Sequence, residues 1–180
     1  KDVRALISLG RAVNHPMRIV EAVDLTNAAQ REVLFRHIQQ RFDDRLLRRR
    51  FAIWGLAFKA NTDDIREAPA LDIIADLTAA GMQVRAFDPV AGHNGRLHVA
   101  GNGHVVVVEE QYEALDGADA LAVVTDWNQF RNPDFGRIRQ KLTAPIVFDG
   151  RNLYSATLLA SQGFAYFAIG RPELNLKKAQ

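Results

Sequence analysis

Three cations stand just after short apolar runs, where a chain that alternates strand and helix would present its turns. Lys59 and Arg66 lie in Gly55-Leu56-Ala57-Phe58-Lys59-Ala60-Asn61-Thr62-Asp63-Asp64-Ile65-Arg66-Glu67, a loop that leads to a helix start at Pro69. Arg151 lies in Asp149-Gly150-Arg151-Asn152. Neither segment is a G-x-G-x-x-G fingerprint or a P-loop, because the glycines those need are missing. Lys and Arg beside a helix start, where unsatisfied N–H groups also attract negative charge, do make a sound anion site. Internal pairing of Lys59 or Arg66 with Asp63, Asp64 or Glu67 is the competing outcome. Gly150 can take a positive φ, which would turn the chain sharply and bring Arg151 to the same rim. An arginine at a helix start opposes the macrodipole unless an anion meets it. The expected ligand is a phosphate or diphosphate.

Other residues with chemical potential read differently. Asp88 ends the second expected strand, at the place where dinucleotide enzymes keep an acid for the ribose. Without the glycine fingerprint it reads as an Asp-Pro turn. Trp127 and Phe130 read as core anchors. The five histidines show no metal-ligand spacing, and no metal site is expected. There is no cysteine, so the chain supplies no disulfide, no thiolate metal ligand and no sulfur nucleophile.

The elements that must position these residues fall into two regions. Residues 1–50 are helical in pattern. A short helix over about Val3 to Val13 breaks at Asn14-His15-Pro16, since a proline disfavours helix in the residue before it. From Met17 to Phe42 there is no Gly or Pro, and a helix of that length would extend about 39 Å. Leu34, Ile38 and Phe42 continue an apolar stripe at i+4 spacing, whereas Asp24, Thr26, Asn27 and Gln30 make the middle polar. The pattern fits a core helix and a linker helix packed on a partner subunit equally well. The Arg45 to Arg50 run suits a solvated helix end, where cations are favoured.

Residues 51–180 alternate strand and helix. Strands are expected at Phe51 to Gly55, Gln83 to Phe87, Val105 to Val108, Ala120 to Val124, Ile146 to Phe148 and Phe164 to Ala168. Helices are expected at Pro69 to Ala80, Gln111 to Leu115, Asp134 to Leu142 and Ser155 to Ser161. Continuous apolar strands between helices mean a parallel sheet covered on both faces. The fold class is therefore α/β, a Rossmann-like doubly wound sheet preceded by a long helix. Ligands of such sheets bind outside the carboxyl ends of the strands, which is where the three cations stand.

A formal charge of +2 over 180 residues makes no demand for a nucleic-acid partner. No apolar run is long enough to span a bilayer and no signal-peptide pattern opens the chain, so a cytoplasmic location without membrane contact is expected. The first residue is Lys1 and the opening already reads as helix, which fits an internal piece of a longer protein.

Gly55 to Ile74, GLAFKANTDDIREAPALDII, resembles the UDP-binding domain of the UDP-glucose/GDP-mannose dehydrogenase family. Val124 to Phe135 and Phe148 to Asn152 look like its UDP-glucose branch, and KDVRAL is similar to the segment after its catalytic Cys-Phe-Pro motif. The resemblance covers essentially the whole chain. It implies oxidation of UDP-glucose at C6 to UDP-glucuronate by two NAD and water, through a cysteine thiohemiacetal and thioester. That cysteine would lie three positions before Lys1, and the NAD-binding domain further upstream, so this piece alone is expected to be inactive.

Carried over by residue, Phe58 and Lys59 resemble substrate contacts, with Lys59 near the phosphates, and Arg151 resembles the arginine that holds the UDP-sugar. Arg66 resembles an arginine that reaches NAD on the other domain. Asp2 matches an aspartate that assists the water and proton steps, and Lys1 its neighbour on the NAD side. The helix around Met17 to Phe42 resembles the family's linker and dimer core, which implies a homodimer. Ala60 replaces a common proline, and Ala68 replaces a common serine that could cap the following helix. A self-standing nucleotide-binding or dimerisation module, and a relative acting on GDP-mannose or UDP-N-acetylmannosamine, are the alternative readings.

Overall fold

The computed structural model describes residues 2–43 and 45–173, and Lys1 lies outside them. By internal contact the chain divides into two compact units between Val33 and Leu34. In the first, α1 (Asp2–Ala12) and α2 (Arg18–Arg31) are joined by the expected break, with Asn14 at φ 53 and His15 N donating to the Gly10 carbonyl at 2.8 Å. A Cβ at Gly10 would stand 2.7 Å from that His15 carbonyl oxygen, so the turn requires glycine there. Only Ile7 and Gly10 of α1 are buried, and no residue of α2 is.

The single helix expected from Met17 to Phe42 is two. α2 ends at Arg31, Glu32 follows at φ −77 and ψ −15, and α3 runs Val33–Arg41. The stripe Leu34, Ile38 and Phe42 belongs to the second unit, where all three are buried. The polar middle of the stretch falls in α2. Both parts carry large apolar side chains, Ile19, Val23 and Leu25 in the first and Leu34, Ile38 and Phe42 in the second, but only those of the second are buried.

The second unit is a six-stranded, all-parallel sheet: β1 (Arg50–Trp54), β2 (Gln83–Phe87), β3 (Val105–Val107), β4 (Ala120–Val123), β5 (Ile146–Asp149) and β6 (Ala165–Ala168). Its order is β3-β2-β1-β4-β5-β6, the doubly wound order in which β1 and β4 flank the switch point. Alternation along the strands separates two apolar layers. On one side Phe42, just after α3, packs against Phe51 and Phe148, and Phe148 stacks on Phe167 at 4.8 Å. On the other, Trp54 stacks on Phe130 at 5.3 Å and meets Tyr112 edge-on. Each such fully buried ring contributes roughly 1.5–3 kcal/mol relative to exposure.

The remaining helices are α4 (Pro69–Ala79), α5 (Gly92–His98), α6 (Asn128–Arg131), α7 (Phe135–Lys141) and α8 (Ala156–Ser161), with a 3₁₀ turn at Gln111–Leu115. Ala68 caps α4 by position only, with no side-chain hydrogen bond. α5 is absent from the sequence expectation because GHNGRLH is poor helix material. Its Gly95 explains why: a Cβ there would lie 2.5 Å from Leu56 Cδ1, so the loop after β1 is seated against that helix. No helix among the described residues is long and apolar enough to cross a membrane.

Candidate anion site at the switch point

β1 and β4 end side by side, and Val124 N donates to the Trp54 carbonyl at 2.9 Å to extend the ladder one step. The chain then diverges. Gly55 takes φ +98, and a Cβ there would stand 2.5 Å from both Cβ and Oγ1 of Thr125. Thr125, fully buried, donates its hydroxyl to the Ala57 carbonyl at 2.7 Å. Sequence reasoning did not single out Thr125; the only sign of it was a glycine at the end of β1, which required some close neighbour.

Arg151 reaches into this crevice from the turn after β5. Its Nε donates to the Val124 carbonyl at 2.7 Å and its Nη2 to the Phe58 carbonyl at 3.0 Å. Its own N–H donates to Asp149 Oδ1 at 2.9 Å. The guanidinium is half-buried and has no carboxylate partner among the described residues. Five N–H donors in a rigid fork leave capacity for an oxyanion beyond the two carbonyls. Arg151 is not at a helix start: α8 begins at Ala156, capped by Ser155, so the macrodipole plays no part. Nor does Gly150 supply the positive φ. That falls on Asn152, at φ 55, while Gly150 is needed for space, since a Cβ would lie 3.2 Å from the Val123 carbonyl oxygen.

Phe58 and Lys59 are exposed beside this arginine. Lys59 has no ion-pair partner among the described residues. The loop closes on itself when Phe58 N donates to the Asp64 carbonyl at 2.9 Å. The Asp64 carboxylate then accepts from Arg66 Nε at 2.8 Å and Nη2 at 2.7 Å. Arg66 is therefore held in an internal, exposed bidentate pair, and the Asp64 hydrogen bond pushes its pKa further up. Of the three cations, Lys59 and Arg151 share the Phe58 peptide unit; Arg66 is linked to it only through Asp64. Asp2 is exposed at the first described position of α1, in the other unit.

Two buried aspartates underlie the site. Asp149 accepts from Arg151 N, from Tyr154 N at 3.1 Å and from Tyr166 Oη at 2.8 Å. Asp88 makes the expected turn, with Oδ1 accepting from Val90 N and Ala91 N, and its other oxygen points inward to Leu56, Ala57 and Trp127. A dinucleotide does not fit these residues, because the turn after β1 has no glycine fingerprint and Asp88 is turned away from any ribose.

Fold and crevice together define a doubly wound α/β protein with a cationic switch point. The family model described as "UDP-glucose/GDP-mannose dehydrogenase family, UDP binding domain" matches residues 52–156, and the chain belongs to that family. The UDP-glucose 6-dehydrogenase of Pseudomonas aeruginosa is 44% identical over 99% of this chain, and that of Rhizobium meliloti 34% over 96%. A UDP-glucose dehydrogenase structure from Pyrobaculum islandicum superposes with a TM-score of 0.75 at 28% identity, covering 87% of this chain and 34% of its own. This chain spans 40% and 39% of the two curated relatives, about two fifths of their length.

Proposed function

We propose that this chain is the C-terminal, UDP-sugar-binding part of an NAD-dependent UDP-glucose 6-dehydrogenase, whose overall reaction takes UDP-glucose, two NAD and water to UDP-glucuronate. The observation that carries the reading is Arg151, a half-buried guanidinium with no carboxylate partner among the described residues, spanning the switch point beside exposed Lys59. An uncompensated cation in that position is stabilised when a phosphate meets it. Lys59 adds a second charge to the same diphosphate, and Phe58 supplies an apolar face next to it.

NAD would be held by another part of the longer protein, with Arg66 and Lys1 reaching it from this chain. Arg66 would do so with its free edge while Asp64 fixes the other. The sequence contains no cysteine, so the thioester chemistry must come from outside it, and Asp2 would assist the water and proton steps there. The isolated chain should then bind nucleotide without reducing NAD. Two copies would associate through the helices of the first unit, where Leu9, Ile19 and Leu25 are exposed.

Calorimetric titration of UDP against GDP tests the assignment. UDP should bind and GDP bind more weakly. Equal affinities would favour a relative of different nucleotide preference, and NADH formation by the isolated chain would end the proposal.

A further inference from the structure

Asp88 is a carboxylate, 5% exposed, immediately after β2 and next to a site read as binding phosphate. Its Oδ2 accepts from Leu56 N at 2.7 Å, Ala57 N at 3.0 Å and Trp127 Nε1 at 3.1 Å. Its Oδ1 accepts from Val90 N at 3.0 Å and Ala91 N at 2.7 Å. One side chain thus gathers the segments that follow β1, β2 and β4. Each oxygen faces donors, so an amide of the same shape would turn an N–H₂ group against at least two N–H groups, whichever way it flipped. Buried donors left facing one another lose their solvation without gaining an acceptor.

The two peptide N–H groups that converge on Oδ2 immediately precede Phe58. The Ala57 carbonyl is held from the other side by Thr125 Oγ1. The peptide that follows carries the Phe58 carbonyl, which accepts Arg151 Nη2. The geometry points to Asp88 as the positioning residue of the anion site: it fixes the Phe58 carbonyl where Arg151 can dock on it, and thereby sets where the guanidinium and Lys59 stand. The acid that dinucleotide sheets turn outward to a ribose is here turned inward to hold a loop. This inference rests on the UDP-binding reading for its consequence, though not for its geometry.

The test compares Asp88→Asn with Asp119→Asn in the same chain. Asp119 is a carboxylate anchor at the opposite, amino edge of the sheet, accepting from Arg50 N at 2.9 Å and from Thr143 Oγ1 at 3.2 Å. Without ligand, amide hydrogen exchange should accelerate about ten-fold or more at Leu56 to Lys59 in Asp88→Asn, and the Arg151 Nε–H resonance should be lost, while β5 and β6 stay protected. UDP affinity should fall about ten-fold or more in the same variant. Asp119→Asn should change neither. Trp127→Phe removes a single donor and should accelerate exchange at Leu56 and Ala57 about three-fold, which carries the test if Asp88→Asn does not fold. Unchanged exchange and an unchanged Arg151 signal in these variants, or wild-type UDP affinity in Asp88→Asn, would overturn the inference. A wild-type chain that ignores UDP would instead end the nucleotide reading, with the exchange arm still deciding whether Asp88 positions Arg151.

Discussion

Arg151 donates to the carbonyl of Phe58 at 3.0 Å, joining residues 93 positions apart in sequence. That bond puts one cation against the peptide that leads into another, Lys59, and makes two remote motifs a single site. Arg151→Ala should therefore weaken UDP binding by about 2–3 kcal/mol in the complete enzyme and by less in this chain, where one side faces water. Arg151→Lys should not restore affinity, because a point charge cannot span the Val124 and Phe58 carbonyls as a planar fork does. Calorimetry on both variants checks this; full recovery by lysine would contradict it.

Arg66 should behave differently. Its guanidinium is held by both oxygens of Asp64, and it lies at the exposed end of the loop. Arg66→Ala is expected to leave UDP affinity of the chain within about two-fold, since exposed pairs contribute little. In a complete enzyme the same substitution should raise the KM for NAD rather than for UDP-glucose. A large loss of UDP affinity would move Arg66 into the phosphate site.

Gly55→Ala tests the crevice from its floor. The residue would have to hold φ +98 and place Cβ 2.5 Å from Thr125, where strand and buried hydroxyl leave no room. A destabilisation of roughly 2 kcal/mol or more is expected, measured by urea unfolding. UDP binding should fall with it, because the Thr125–Ala57 hydrogen bond that steadies the loop is displaced.

Tyr154 and Tyr166 give the fold an alkaline limit. Burial, and then the charge of Asp149, push both phenols well above their usual range. The folded state thus favours the neutral phenols. Their contribution to stability is fully present below the ordinary tyrosine pKa of about 10 and is lost as pH rises above it. Tyrosinate absorbance should show these two remaining un-ionised until the chain unfolds, and unfolding should steepen with pH above about 10. Tyr166→Phe should soften that dependence while leaving Asp149 one donor short. Early, reversible ionisation of both in the folded chain would contradict the burial argument.

The proposed association of two copies is testable at the exposed apolar side chains of the first unit. Ile19 is 82% exposed and Leu25 72%, on a helix with no buried residue. Replacing Leu9 and Ile19 by Glu should shift sedimentation toward the monomer and leave UDP affinity unchanged. A chain that is monomeric before substitution would remove the homodimer from the proposal.

The fold was largely legible because its signals are local. Apolar runs such as Phe51 to Trp54 and Ala120 to Val123, separated by helical stretches, are buried together in a parallel sheet, and the six expected strands match those found within a residue or two. α5 was not legible, because Gly95 is chosen for the approach of Leu56 and not for helix propensity. The break at Glu32 was not legible either, since nothing in the residues from Met17 to Phe42 says which part a sheet will cover.

Residue types alone determined that cations would follow the strands and that no cysteine chemistry could come from this chain. They could not determine which cation is already satisfied. Asp64 stands two positions from Arg66 and captures it, whereas Arg151 finds only carbonyl oxygens, because the switch point brings β4 and the β1 loop together in front of it. Nor could sequence tell that Asp88 faces inward, since the five N–H groups around its carboxylate come from three segments that only the folded sheet assembles. Strand order sets which groups lie within hydrogen-bond reach, and that is a property of the assembled sheet rather than of any one stretch of chain.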